Sequence, residues 1–258
     1  MTALAMPRQG LGDVSSHLAS FVITTWDVDP NSLAARLPEG LEPDVFTLDD
    51  GRERAFVSAV SFTNTDFFVR FAPFVKLTCL QTNYRAYVRR GDERAAWFFA
   101  TSLGTPWVFI PRHVWGLPWA RTSGRQEASW GEAGLERLEW KAEGALGAEA
   151  LSLRGTGAPV GRLDGFADAA QTHEVLTAPT VGYLYRRGRT PATYSIWHAP
   201  LEMERAEAST ARFEHYERLG LVEPGAAPHS VLVQRLTHYL IFLPPKRAVG
   251  LRWRPPRR

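Results

Sequence analysis

Residues 76–89 read KLTCLQTNYRAYVR, and the parity of this stretch decides the fold. Its aromatic and β-branched residues suit a pleated strand. Successive side chains of a strand point to opposite faces. One face then carries Cys79, Gln81, Asn83, Arg85 and Tyr87, and the other Leu80, Thr82, Tyr84, Ala86 and Val88. The second face is apolar and packs. The first sets two amides, a guanidinium and a phenol in a row. Two readings stay open. One is a strand with a wet polar face. The other is a barrel strand whose polar face lines a cavity. In the cavity reading, the planar fork of Arg85 binds a carboxylate or another oxyanion. Asn83 and Gln81 orient a carbonyl or hydroxyl.

Working outward, Arg90, Gly91 and Asp92 form a turn, and residues 95–103 are the return strand. Upstream, residues 21–26 and 54–62 read as strands, with a turn at Asp49, Asp50 and Gly51. A short helix over 32–36 follows Asp29 and Pro30. Downstream come a short helix over 106–114 and strands over 135–143, 150–153 and 160–163. Residues 181–187 and 192–198 form a hairpin around Gly188. A helix over 209–219 is stopped by Gly220, and residues 230–242 are a last long strand. This spacing predicts a mainly β fold with a few short helices, an antiparallel barrel or sandwich. No linker or repeat divides it. The expected organisation is a flexible N-terminus over 1–16, one domain over 17–247 and an Arg/Pro-rich tail over 248–258.

Composition excludes several classes. Of 258 residues, 45% are hydrophobic and 22% charged, which is ordinary for a globular chain and unlike a disordered or collagen-like one. The single cysteine, Cys79, forms no intrachain disulfide and no Cys-rich metal site. The net charge is only +3. Lysine occurs at Lys76, Lys141 and Lys246, and arginine supplies the other cations. This small excess is not the clustered field of a nucleic-acid binder. The dense cluster from Lys246 to Arg258 is interleaved with prolines and reads as an extended, solvated end. Residues 1–14 lack a secretory pattern, and no run of ~18 apolar residues occurs. A cytoplasmic protein with neither membrane nor nucleic-acid partner is expected.

Familiar catalytic motifs are missing: no G-x-S-x-G, no H-E-x-x-H and no P-loop. Gly155, Gly157 and Gly161 flank Pro159 and read as a turn. The histidines are scattered, so neither metal nor cofactor is expected. Lys76, beside Phe74, Val75 and Leu77, is a candidate Schiff-base nucleophile. Parity places it opposite Arg85, and it reads as a surface lysine whose stem covers apolar atoms. His198 shares a strand face with Tyr194 and Ile196. It is either an acid–base group or a structural histidine. Trp119 follows Gly116, Leu117 and Pro118 at a turn, where side chains often face a site.

A resemblance adds to this. Trp26-x-Val28-x-Pro30, Leu37-Pro38-x-Gly40-Leu41, Asn83-x-Arg85-x-Tyr87-Val88, Phe98-Phe99 and Gly116-Leu117-Pro118-Trp119 occur in that order. Ile196-x-His198-x-Pro200 and Pro228-His229-Ser230 through Val233 follow. Together they resemble the YqjF-like family, domain of unknown function 2071, over about residues 17–247. That family is related to the acetoacetate decarboxylase-like superfamily. The resemblance implies an antiparallel closed β-barrel wrapped by further strands, with an internal cavity. In the decarboxylase, a lysine follows a Gly-Phe-Pro element and forms a Schiff base with the substrate. Here Gly116-Leu117-Pro118 is followed by Trp119 and Ala120, so that lysine is missing. Gln81 also stands where many family members carry a glutamate.

The expected ligand is therefore a small carboxylate. Arg85 holds it, Asn83 and Gln81 orient it, and Trp119 closes the cavity. Tyr87 and His198 move protons in an enzyme acting on an oxo- or hydroxy-acid without Schiff-base chemistry. The alternatives are a metabolite-binding protein with no chemistry, and an interaction module using the tail.

Overall fold

The computed structural model describes residues 6–254. In chain order these hold β1 (Val14–Val28), α1 (Pro30–Ala34), β2 (Glu42–Pro43), β3 (Val45–Thr47), β4 (Glu53–Val69), β5 (Leu77–Arg90) and β6 (Glu93–Leu103). A 3-10 turn at Pro106–Val108 leads into α2 (Phe109–His113). Then come β7 (Trp119–Gly131), β8 (Gly134–Gly144), β9 (Gly147–Pro159), α3 (Ala169–Thr177), β10 (Val181–Arg186) and β11 (Thr190–His198). β12 (Glu204–Phe213), α4 (Glu214–Arg218) and β13 (Ser230–Arg247) complete the series.

All the strands belong to one 13-stranded sheet, ordered β11-β10-β6-β7-β8-β9-β12-β13-β1-β4-β5-β2, with β3 on β4. The further pairings β5–β6 and β11–β13 turn this path back on itself. Strands β6, β5, β4, β1 and β13 thus form a wall common to two hydrogen-bonded circuits. One circuit is completed by β10 and β11, the other by β7, β8, β9 and β12. The expectation of a purely antiparallel sheet is corrected: β6 pairs in parallel with β10 and with β7. The chain enters β7 through α2 and β10 through α3, and such crossovers permit parallel pairing.

Many wall-strand hydroxyls are buried, and several find partners inside, although those of Thr24, Ser230 and Thr237 bond no described residue. In β4, residues 55–62 are buried without a break. Ser58 bonds Thr25 at 2.8 Å, and Ser61 bonds Thr82 at 3.0 Å. The supposedly apolar face of β5 is likewise part polar. Thr82 and Tyr84 donate to the two carboxylate oxygens of Glu149, at 2.7 and 2.9 Å. Ser102 and Trp140 donate to the same carboxylate at 2.6 and 2.9 Å. Glu149 is only 2% exposed and has no ion-pair partner among the described residues. Its charge is held by neutral donors from β5, β6 and β8, tying the wall to the β8–β9 hairpin.

Several expected boundaries move. Residues 209–213, expected to open the helix over 209–219, are instead the end of β12, which pairs with β9 from Glu149 to Pro159. Sheet pairing overrides a weak helix preference there, and α4 is confined to Glu214–Arg218. Residues 160–163 lie outside the strands, just beyond Pro159. β7 and α3 were not anticipated. β7 is largely exposed and lacks a clear apolar alternation, whereas α3 opens on Asp168, whose side chain accepts from the Gln171 amide at 2.8 Å. Just before β1, buried Asp13 accepts from the Gly10 and Leu243 amides. The tail packs too. Leu251 is buried, Arg252 pairs with Glu39, and the Arg254 amide donates to the Tyr185 hydroxyl. Residues 255–258 lie outside the described residues. No helix among the described residues is long and apolar enough to cross a membrane.

Two predictions follow from the buried ionisable groups. Replacing Glu149 with Ala strands four buried donors, and urea denaturation should show a loss on the order of 3 kcal/mol. His215, in α4, lies against Tyr84 with ring centroids 4.7 Å apart. Burial, helped by the Arg218 charge, lowers its pKa to about 4. An unfolded histidine titrates near ~6.5, so between these values the unfolded state binds more protons. The stability contributed by neutral His215 is complete above ~6.5 and is lost as pH falls toward 4, with a slope of up to about 1.4 kcal/mol per pH unit. His215→Phe should flatten the acid limb of a stability–pH profile. An unchanged slope would show that the buried imidazole does not control it.

Candidate functional site

The cavity lies inside the circuit completed by β10 and β11, and the polar face of β5 forms one side of it. Its volume is about 60 Å³. Gln81, Asn83, Arg85 and Trp119 all line it, so four of the six residues expected from sequence come together. Tyr87 and His198 stand one layer back.

Arg85 dominates the electrostatics. It is 6% exposed. Its Nη2 donates to the Leu176 carbonyl at 2.8 Å and to the Tyr87 hydroxyl at 3.1 Å. Nε is buried without a partner, and Nη1 makes no hydrogen bond to a described residue. No carboxylate pairs with this guanidinium among the described residues. Its electrostatic neighbours are phenols: Tyr87, Tyr239 and Tyr216. Arginine cannot shed its proton, so an uncompensated positive charge is held beside the cavity.

The backbone is shaped to hold it. The β5–β6 register shifts between Tyr84 and Arg85, leaving an extra residue on β6. Bulges of this kind re-aim side chains near sites. Beside the shift, the Tyr216 hydroxyl is shared between the Ser58 and Arg85 carbonyls, at 2.7 and 3.0 Å. Tyr87 is a support for Arg85. Its hydroxyl accepts from Nη2, bonds Ser58 at 2.9 Å and donates to the Leu176 carbonyl at 3.2 Å.

The second polar feature is a chain of amides. Ser16 donates to Asn64 at 2.9 Å, Asn64 to Gln81 at 3.0 Å, and Gln81 to Asn83 at 2.8 Å. Thr101 donates to the same Asn83 oxygen at 3.0 Å. The Asn83 oxygen is thus saturated, and its Nδ2 group, with no bond to a described residue, is left to donate. All five residues line the cavity. Tyr194 and Tyr239 line it as well, and neither hydroxyl bonds a described residue. Burial pushes both phenols well above their ordinary range, against the opposing pull of the Arg85 charge. At neutral pH they are hydrogen-bond donors. Sequence reasoning missed Ser16, Asn64, Thr101 and Tyr239. Tyr194 was within reach, since it shares parity with Ile196 and His198 on β11.

His198 pairs with Tyr239 across β11 and β13 and stacks on its ring at 4.8 Å. Its Nδ1 bonds the Ala199 carbonyl at 2.8 Å. Burial lowers its pKa, and the Arg85 charge lowers it further, so the imidazole is neutral at pH 7. No lysine lines the cavity. Lys76 is exposed and pairs with Asp66 at 3.2 Å, as its parity implied.

The fold is a known one. Its architecture is that of acetoacetate decarboxylase-like proteins. The acetoacetate decarboxylase of Legionella pneumophila is 11% identical, with a TM-score of 0.60 over 95% of this chain and 92% of that one. An acetoacetate decarboxylase-like enzyme from Sphingomonas wittichii is 12% identical, with a TM-score of 0.57 over 91% and 92%. The enduracididine biosynthesis enzyme MppR, complexed with the condensation product of pyruvate and imidazole 4-carboxaldehyde, is 12% identical, with a TM-score of 0.60 over 91% and 88%. The chain belongs to the family of uncharacterized conserved proteins DUF2071, whose model matches residues 16–237. No curated protein matches its sequence.

A buried charge that serves binding should cost stability. Arg85→Met keeps the bulk and removes the charge, and Tyr87 retains its bonds to Ser58 and Leu176. The variant should melt no lower than the wild type, since an isolated buried charge is a net cost. A melting temperature several degrees lower would make Arg85 a structural residue.

Proposed function

We propose that the protein binds a small carboxylic acid in this cavity, with Arg85 as the carboxylate anchor. The observation that carries the reading is a buried guanidinium that lines a cavity and has no carboxylate of its own. A ligand carboxylate would supply the missing charge through short, charge-assisted hydrogen bonds. Asn83 Nδ2 and the hydroxyls of Tyr194 and Tyr239 are the donors for a second oxygen, which favours an oxo- or hydroxy-acid over a plain one. Trp119 and Phe98 supply apolar walls. MppR, a protein of similar fold, is recorded with pyruvate bound, in keeping with this ligand class.

Lysines that form Schiff bases must touch the substrate carbonyl, and none lines this cavity. No aspartate, glutamate or histidine lines it either. This favours a protein that holds its acid without turnover. A second reading, acid–base chemistry on an oxo- or hydroxy-acid, rests on His198. Its neutral imidazole stacks on Tyr239, one layer from the cavity, and Tyr239 is the group through which it would act.

Thermal unfolding with 2-oxo- and hydroxy-acids tests both. Ligand at 100 times its Kd stabilises the native state by about 2.7 kcal/mol, a shift of several degrees. The shift should appear with small carboxylates, be absent with the matching amides, and vanish in Arg85→Met. An equal shift in that variant removes Arg85 from the site. Turnover of a bound acid that falls at least tenfold in His198→Gln, with binding retained, would establish the second reading.

A further inference from the structure

The cavity has an apolar neighbour. Beside it lies a groove of about 260 Å³, and the two share Trp119, Ile241 and Leu243 as a common wall. Elsewhere the groove is lined by Val75, Leu77, Leu103, Trp107, Ile110 and neighbouring apolar residues. Its polar lining side chains are those of Thr105 and Cys79, and the Cys79 thiol stays protonated because burial lifts its pKa to about 11. Lysine, arginine and carboxylate side chains are missing from the lining.

One strand joins the two spaces. Along a single face of β5, the order from the cavity to the groove is Arg85, Asn83, Gln81, Cys79, Leu77. This is charge, two amides, a thiol and then hydrocarbon. Alternate residues on a strand are about 6.6 Å apart, so the gradient from Arg85 to Cys79 spans roughly 20 Å. The groove opens between the β4–β5 loop and the segment around α2. Phe71, Phe74 and Val114 are 67%, 84% and 66% exposed there, which is costly for a surface with nothing to cover it.

We infer that the ligand is an amphipathic acid: a carboxylate with an oxo or hydroxy group near its head and a hydrocarbon tail that passes Trp119 into this groove. The inference rests on the carboxylate reading of Arg85 and adds the tail. The adjacency of the two spaces across Trp119, Ile241 and Leu243 and the polarity gradient of β5 select this occupant. A protein or membrane surface would cover the exposed rim but would leave the buried amides and Arg85 unused.

The test is a calorimetric titration with straight-chain 3-hydroxy acids of increasing length, from four to about twelve carbons. Each methylene buried in the groove should tighten binding by up to about fourfold, until the groove is filled. Ile110→Glu and Val75→Glu place a charge in the groove at positions that do not line the cavity. Both should bind the four-carbon acid as the wild type does and lose the gain with length, and circular dichroism should confirm that each is folded. Arg85→Met should weaken every member of the series. Short acids that bind through Arg85 with no gain from length would overturn the tail and leave the cavity reading standing. Long acids and long alcohols binding equally well, with no effect of Arg85→Met, would make the groove an unrelated apolar site. An absence of binding at every length would remove the carboxylate reading and the tail together.

Discussion

Strand β5 is enclosed on both faces, and much of the molecule follows from that constraint. A strand normally sends polar side chains to water on one side. Here the sheet path returns on itself along both edges of the wall, so each face meets protein. Every polar group on β5 therefore needs an internal partner or a ligand. On one side Thr82 and Tyr84 satisfy Glu149. On the other, Gln81 and Asn83 are consumed in an amide chain whose last donor is left over. Arg85 is the next residue along that face, with a charge that no described carboxylate neutralises.

The two buried charges are treated differently. Glu149 receives four hydrogen bonds from neutral donors and so behaves as a structural tie. Arg85 receives support at one nitrogen only, from Leu176 and Tyr87. Proteins tolerate such imperfect satisfaction mainly where function needs it. The phenols of Tyr87, Tyr194, Tyr216 and Tyr239 surround the guanidinium with polarisable, uncharged groups. They soften its burial without supplying the counter-charge that would close the site to a ligand.

Much of this arrangement was legible in residues 76–89. The alternation of that stretch put Gln81, Asn83 and Arg85 on one face, and all three line the cavity. It also put Lys76 on the opposite face, and that lysine is an exposed ion-pair partner. Trp119 was found through its place after Gly116, Leu117 and Pro118. Tyr87 was drawn to the site by the same alternation, and His198 by residue type. Their strands do bring them close, but one layer short, because stacking on Tyr239 and bonding to Ser58 hold them there. Residues 209–213 were misread as helix because they run directly into the short helix at Glu214–Arg218, while their pairing with β9 is a long-range contact.

Sequence by itself determined the period of the strands, the polar face of β5, the missing Schiff-base lysine and the family. These depend on neighbours in the chain and on short ordered motifs. Tertiary structure alone decided that both faces of β5 are interior, that β6 pairs in parallel on two occasions, and that Ser16, Asn64, Thr101, Tyr194 and Tyr239 share a cavity. Those residues lie on β1, β4, β6, β11 and β13, and no local pattern relates them. Their meeting depends on which strand edges pair when the sheet returns on itself, a property of the assembled wall that no single segment carries.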